Sequence, residues 1–462
     1  MLTYDLSDRG RQPLYACLYR HIREDILNGK LRAGEKLPSK RALAQHLQIS
    51  VITVENAYAQ LHAEGYIRTV QKSGCFVCRV ERQPQPPAPA RAAAPPERRV
   101  YFMDFTSNSI CAENFPFSTW AKLMRKTLLE QNTRLLQAAP YNGVACLRKA
   151  IADDLYHTRG MPVSPEQLVI GAGTEYLYNL IIQLLGRERV FAVEDPGYGK
   201  ISKIYQINNV GYRRIPIDRQ GLDLQKLEQS GADVVHISPS HHYPTGIVTP
   251  IGRRQQILHW ADQSDSRYII EDDYDSEFRF TGRPIPTMQS IDKHEKVLYI
   301  NTFSKSISPA IRISYLVLPE GLSQRFRRTM SFYACTVPVF EQYTLAAFIA
   351  EGYFERHINR MKNLYRAQRD RVIRAILQSP LKDRVKITEE NAGLHFLLTV
   401  DTARSDRAII DAADRAGIRL SCLADYAGQP DEQFAHRFVI NYSGIDCSRL
   451  DEAVRRLSEV LI

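Results

Sequence analysis

Leu14, Leu18, Ile22 and Ile26 recur at every fourth position, the spacing of one face of an α-helix. Pro13 opens this helix and Asn28-Gly29 ends it after Leu27. A short connector with turn residues, Leu31 to Pro38, follows. Ser39 can cap a second helix, Lys40 to Leu47, with Ala42, Leu43 and Leu47 inward, and Ser50 can cap a third, Val51 to Glu64. In the third helix Val54, Ala57, Tyr58 and Leu61 form the core stripe, which leaves Val51, Thr53, Asn56 and Gln60 outside. Tyr66 to Val80 alternates about the turn Lys72-Ser73-Gly74 and predicts a β-hairpin. Three helices and a two-stranded wing make a winged helix-turn-helix, whose third helix enters the major groove of double-stranded DNA.

Residues 81–99 change character. This Pro/Ala tract cannot build a core, and proline stiffens it, so it predicts a linker between a 1–80 domain and a 100–462 domain. Beyond it, short apolar runs alternate with helical patterns: Gln167–Ile170, Arg189–Glu194, Asp233–Ser238, Tyr268–Glu271 and Val297–Thr302. Near-continuous apolar strands of this kind belong to a parallel sheet buried on both faces. Such α/β sheets bind ligands outside the carboxyl ends of their strands.

Composition changes this picture only modestly. The chain of 462 residues has a net charge of +10, which permits a polyanionic partner without requiring one. Residues 1–80 hold twelve Lys and Arg against seven Asp and Glu. Lys40 and Arg41, at a helix N-terminus, and Lys72, at the wing tip, are candidates for phosphate contact. The eight cysteines are scattered, with one isolated Cys75-Phe-Val-Cys78, and read as ordinary reduced thiols. The N-terminus lacks an apolar signal segment and no run of eighteen apolar residues exists. The expectation is a cytoplasmic protein without a membrane span, a metal site or disulfides.

The chemistry gathers after the strands. Gly171-Ala-Gly173-Thr174-Glu175 opens a helix and forms an anion site. Tyr198, Tyr243 and the run Asp272-Asp273-Tyr274 follow the next three strands, and Lys305 follows the last. A lysine buried at a strand end is costly to charge, and a neutral amine is what Schiff-base capture of an aldehyde requires. Thr302, Ser304 and Arg312 add phosphate-binding groups around it. Together they point to pyridoxal 5′-phosphate. Asp272 or Asp273 would keep its pyridine nitrogen protonated, Tyr274 would bond its 3′-oxygen, and Tyr198 would stack on its ring. Gly173, Thr174, Thr302 and Arg312 would hold its phosphate.

Two resemblances sharpen this reading. Gly34 to Ala44 and Ser50 to Ile67 resemble the GntR-type DNA-binding domain of bacterial regulators, over nearly all of residues 11–80. The family usually places arginine after the capping serine; here Val51 stands there, able to contact a thymine methyl but not to make a bidentate guanine bond. With Ser39, Ser50, Thr53, Asn56 and Gly74, these residues form the candidate DNA contacts. Residues 100–462 resemble the fold-type I, aspartate-aminotransferase-like enzymes, α/β with a smaller C-terminal α+β subdomain from roughly residue 375. That resemblance implies Asp272 as the pyridine carboxylate, Tyr274 as the 3′-oxygen partner, Lys305 as the internal aldimine and Arg312 on the phosphate.

The chain departs from that pattern twice. Tyr243-Pro-Thr-Gly246 replaces the common Asn-Pro-Thr-Gly, and Val439 stands where most members carry an arginine for the substrate carboxylate. Arg437, two residues earlier on the same strand face, and Lys200 are the candidate replacements. The two halves together resemble the MocR/GabR regulators. That implies a homodimeric transcription factor that senses pyridoxal phosphate itself or an amino compound at Lys305. An aminotransferase with a peripheral DNA-binding module is the alternative.

Overall fold

The computed structural model describes residues 2–6, 12–80, 99–107, 112–282 and 285–461. They fall into two compact units, Met1–Arg98 and Arg99–Ile462. All of the expected linker except Arg99 lies outside the described residues.

In the first unit the helices are α1 (Leu14–Leu27), α2 (Lys40–Leu47) and α3 (Val51–Ala63). Strands β1 (Ile67–Val70) and β2 (Gly74–Val77) pair antiparallel as the wing. Ser39 and Ser50 cap α2 and α3, their side chains accepting from the backbone N–H of Ala42 at 3.2 Å and Thr53 at 3.1 Å. Leu18, Ile22, Val54, Ala57 and Leu61 are fully buried in one core. On α2 the inward face turns by one residue from that expected: Leu43 and Ala44 are buried, while Ala42 and Leu47 are half-buried. Leu2, Tyr4 and Leu6 also pack on this core, and the Tyr4 hydroxyl donates to Asp25 at 2.8 Å.

The second unit is built on an eight-stranded sheet. Its strands are β3 (Leu168–Gly171), β4 (Val190–Asp195), β5 (Gly211–Asp218), β6 (Gly221–Leu222), β7 (Val234–Ile237), β8 (Tyr268–Asp272), β9 (Val297–Thr302) and β10 (Ser314–Val317). The spatial order is β3-β10-β9-β8-β7-β4-β5-β6. The run from β9 to β5 is parallel. The sheet is nevertheless mixed: β10 lies antiparallel between β9 and β3. The chain after Lys305 therefore returns through the sheet beside the strand it has just left.

Both faces are covered, which explains the unbroken apolar strands. On β8, Ile270 packs with Leu177, Ile181 and Leu298 on one side. Its neighbour Ile269 packs with Val235, Ile257 and Trp260 on the other. Each such fully buried side chain contributes about 1.5–3 kcal/mol relative to exposure.

The long helix Tyr353–Leu377 leads to a three-stranded sheet of β11 (Val385–Thr388), β12 (His395–Val400) and β13 (Arg437–Asn441). The start of the unit also joins this smaller layer: Met103–Asp104 pairs parallel with Ile418–Arg419, a contact between distant segments that no local pattern signals. No helix among the described residues is long and apolar enough to cross a membrane.

Candidate functional site

Parallel strands deliver their carboxyl ends to one edge, and the loops that leave β3, β4, β7, β8 and β9 there surround a cavity of about 230 Å³. Thr174, Glu175, Tyr198, Lys200, Tyr243, Asp272, Tyr274, Thr302, Ser304, Lys305 and Arg312 all line it. Gly173 sits immediately behind the lining as the N-cap of helix Thr174–Leu185. Arg437 is not among the lining residues; it begins β13, half-buried and paired with Thr399. The lining also includes Tyr178, Ile201, Ser238 and Pro309, which sequence reasoning did not single out.

Lys305 lies in the single-turn helix Phe303–Ser306, whose cap is Thr302. The Thr302 hydroxyl accepts from the Ser304 N–H at 3.2 Å and from the Ser314 hydroxyl at 2.7 Å. Strand β10 therefore fixes the turn that presents the lysine. Burial pushes the Lys305 ammonium down to about 8, with Lys200 adding to the fall and Asp275 opposing it. The amine is thus poised as a base near neutral pH.

Asp272 ends β8 with its side chain in the cavity. The Tyr178 hydroxyl donates to its Oδ2, and His236 Nε2 lies 3.5 Å from the same oxygen. Tyr205 in turn holds His236, hydroxyl to Nδ1, at 2.7 Å. Burial and the adjacent carboxylate push the Tyr178 phenol well above its ordinary value, so it stays a donor. Oδ1 of Asp272 is buried with no hydrogen-bond partner among the described residues. A buried carboxylate oxygen left open in this way calls for a cationic N–H, which a protonated pyridine supplies. Tyr178 escaped notice because an aromatic one turn inside an amphipathic helix reads as core. His236 escaped because it sits within an apolar strand.

Groups suited to hold an anion gather in the same cavity. Thr174, Ser304 and Arg312 converge beside a helix N-terminus. Arg312, at φ 53°, donates to Glu175 at 2.8 Å and to the Ala172 carbonyl at 3.3 Å. Lys200 donates to the other oxygen of Glu175 at 2.9 Å. Burial alone would raise the Glu175 carboxyl, but these two bonds hold it at about 2.

Gly173 has φ 97° and ψ 161°, a region essentially reserved for glycine. A Cβ there would stand 2.1 Å from the Arg312 guanidinium. Gly173→Ala is expected to cost about 1–3 kcal/mol of stability through backbone strain. It also displaces the clamp, so thermal denaturation and an absorbance titration with pyridoxal phosphate should both register it.

The remaining wall is aromatic. Tyr198 meets Tyr243 edge-on at 5.7 Å, and the Tyr243 and Tyr426 hydroxyls share a 2.8 Å bond. The Tyr274 hydroxyl lies 3.2 Å from His241 Nδ1, which is 2.9 Å from Asp275. The donor set fits pyridoxal phosphate at each of its polar ends: amine, ring carboxylate and anion clamp. Among the described residues no group of His, Cys, Asp and Glu could hold a metal ion.

In the first unit the candidate DNA contacts sit at the starts of α2 and α3, along α3 and in the wing. Val51 is 43 % exposed at the start of α3, with Asn56 exposed and Thr53 half-buried on the same helix. The Thr53 and Ser50 hydroxyls are 2.8 Å apart. Lys72, at φ 60°, forms the wing turn, and Gly74, at φ 114°, begins β2. Lys40 is paired with Glu55 of α3 at 2.5 Å, while its neighbour Arg41 is exposed.

Comparison with known proteins agrees with both halves. Residues 14–77 match the family of bacterial regulatory proteins of the gntR family, and residues 101–457 match aminotransferase class I and II. The HTH-type transcriptional regulator YdeL of Bacillus subtilis is 38% identical over 452 residues, 96% of each chain. The probable rhizopine catabolism regulatory protein MocR of Rhizobium meliloti is 32% identical, covering 97% of this chain and 94% of its own. In the fold alone, the second unit is similar to the multiple substrate aminotransferase of Thermococcus profundus, with a TM-score of 0.69, 24% identity, and coverage of 79% of this chain and 92% of that one. With a GntR winged helix followed by a pyridoxal-phosphate-dependent aminotransferase domain, the chain belongs to the MocR-type family of HTH transcriptional regulators.

Proposed function

We propose that this regulator changes its affinity for an operator in double-stranded DNA when pyridoxal phosphate, or an amino compound joining it, occupies the cavity at Lys305. The observation that carries the proposal is the conjunction of a lysine lowered to about 8 with an open buried oxygen on Asp272 in one cavity. Pyridoxal phosphate, when bound, supplies an aldehyde for an amine to capture and a ring that draws electrons from it.

The chain's own groups do the rest. Lys305 offers the amine. Asp272 would hold the proton on the ring nitrogen, oriented by the Tyr178 hydroxyl. Tyr198, Tyr243 and Tyr274 would supply the aromatic wall against the cofactor's ring. Gly173, Thr174, Glu175, Thr302, Ser304 and Arg312 would hold its phosphate end.

The working form in this reading is a cytoplasmic homodimer. Phe117, Leu129, Leu136 and Phe332 of the second unit are 64 to 83 % exposed, apolar surface that a second copy would cover.

On the DNA side, Arg41 contributes more than Lys40, because Glu55 already neutralises Lys40. Arg41→Ala is expected to weaken operator binding and to reduce the slope of log affinity against log salt by about 1. The cofactor spectrum should stay unchanged; an unaltered salt slope refutes the assignment. The test of the whole reading is operator retardation followed in parallel with absorbance as pyridoxal phosphate is added. Operator affinity that moves with cofactor occupancy supports it. Steady-state turnover of amino donors and 2-oxo acids that survives deletion of residues 1–80, with no sequence-specific DNA binding, would overturn it.

A further inference from the structure

A cavity that admits an amino compound must also accommodate whatever the amine carries. Among the described residues lining it, three are cationic: Lys200, Lys305 and Arg312. Lys305 is committed to the cofactor. Arg312 belongs to the proposed phosphate end, and Lys200, the remaining cation, already donates to Glu175 at 2.9 Å. An effector carboxylate would meet a neutralised partner with an anion beside it.

Among the described lining residues the aromatic wall adds no further cation. Tyr243 lines it, with its hydroxyl bonded to that of Tyr426, which in turn donates to the Ser421 hydroxyl at 3.2 Å. Behind them Val439 is buried with Leu397 and Leu423, and Tyr243 and Tyr426 pack against that apolar cluster. A carboxylate set against this cluster would lose water and gain no charged donor. An uncharged or cationic body fares better against these phenol rings. The Lys200 ammonium already lies 5.9 Å from the centroid of Tyr198.

Resting on the function proposed above, we infer that the effector is a small primary amine without a carboxylate. The apolar cluster of Val439, Leu397 and Leu423 behind Tyr243, and the Lys200–Glu175 pair, discriminate against amino acids.

The test uses the full-length protein loaded with pyridoxal phosphate, and a DNA fragment that the protein selects from a random pool. It is titrated with pairs that differ only by the carboxylate: ethylamine against alanine, putrescine against ornithine, tyramine against tyrosine. Absorbance reports binding and DNA retardation reports the signal. The amine of each pair should act at a concentration lower by about tenfold or more, the worth of one charged hydrogen bond left unmade. Val439→Arg should narrow that gap. Glu175→Gln, which frees Lys200 without touching the apolar wall, should narrow it too if the arginine variant does not fold, with the absorbance of the loaded protein checked first. Amino acids acting at equal or lower concentration than their amines overturn the inference, as does silence from every amine. A loaded protein with no cofactor absorbance before any amine is added defeats the underlying reading, and this inference falls with it.

Discussion

Lys305→Ala is expected to abolish covalent retention of pyridoxal phosphate. The absorbance band at the visible edge of the ultraviolet should be missing after gel filtration, and operator affinity should no longer respond to the cofactor. The winged helix should still fold, because its core is closed among its own residues, Leu18, Ile22, Leu43, Val54 and Leu61 included. Lys305→Arg separates the two properties of the side chain. It keeps a cation at the strand end but supplies no amine for capture, so it should be as defective as alanine. A retained band in either variant would remove Lys305 from the role given to it.

The same lysine fixes the pH dependence. Capture needs the free base, and burial lowers the ammonium to about 8. About a tenth of the molecules then present a neutral amine at pH 7, against fewer than about one in a thousand for an ordinary lysine. Capture by the cofactor-free protein should therefore accelerate as pH rises through about 8 and level off above it.

Much of this was legible along the chain because the signals are local. The four-residue spacing of Leu18, Ile22 and Ile26 fixes a helix face wherever the helix docks, and all three are buried. Thr174, Tyr198, Asp272 and Lys305 each follow an apolar strand closely, so a parallel sheet brings them to one cavity. What escaped depends on which distant segments meet. Strand β10 inserts antiparallel beside β9, although the pattern from Val297 onward predicts only that β9 exists. Glu175 binds Arg312 and Glu55 binds Lys40, pairings between residues 137 and 15 positions apart that no spacing rule reaches. Arg437 shows the limit of a strand-face argument: the shared face with Val439 is a matter of alternation, but the lining of the cavity is a matter of how the strand is set.

Asp272→Asn should weaken pyridoxal phosphate without weakening the protein. The substitution keeps the shape at the end of β8 and removes the charge that holds the proton on the pyridine nitrogen. One hydrogen bond to a charged group is worth about 1.5–3 kcal/mol, or roughly 10- to 150-fold in affinity. In the cofactor-free protein the change runs the other way. Oδ1 of Asp272 is buried with no partner among the described residues, so the carboxylate there carries an uncompensated desolvation cost that a neutral amide reduces. The Tyr178 hydroxyl can still donate to the amide oxygen, so the support from the neighbouring helix survives. The expected signature is a cofactor-free variant at least as stable as the parent by thermal denaturation, with the cofactor dissociation constant raised at least about tenfold in an absorbance titration. Loss of stability with unchanged cofactor affinity would mean that Asp272 serves the sheet edge and not the ring. That outcome would shift the search for the pyridine partner to Asp273, whose carboxylate instead pairs with Arg159 at 3.2 Å and accepts from the Tyr299 hydroxyl at 2.7 Å.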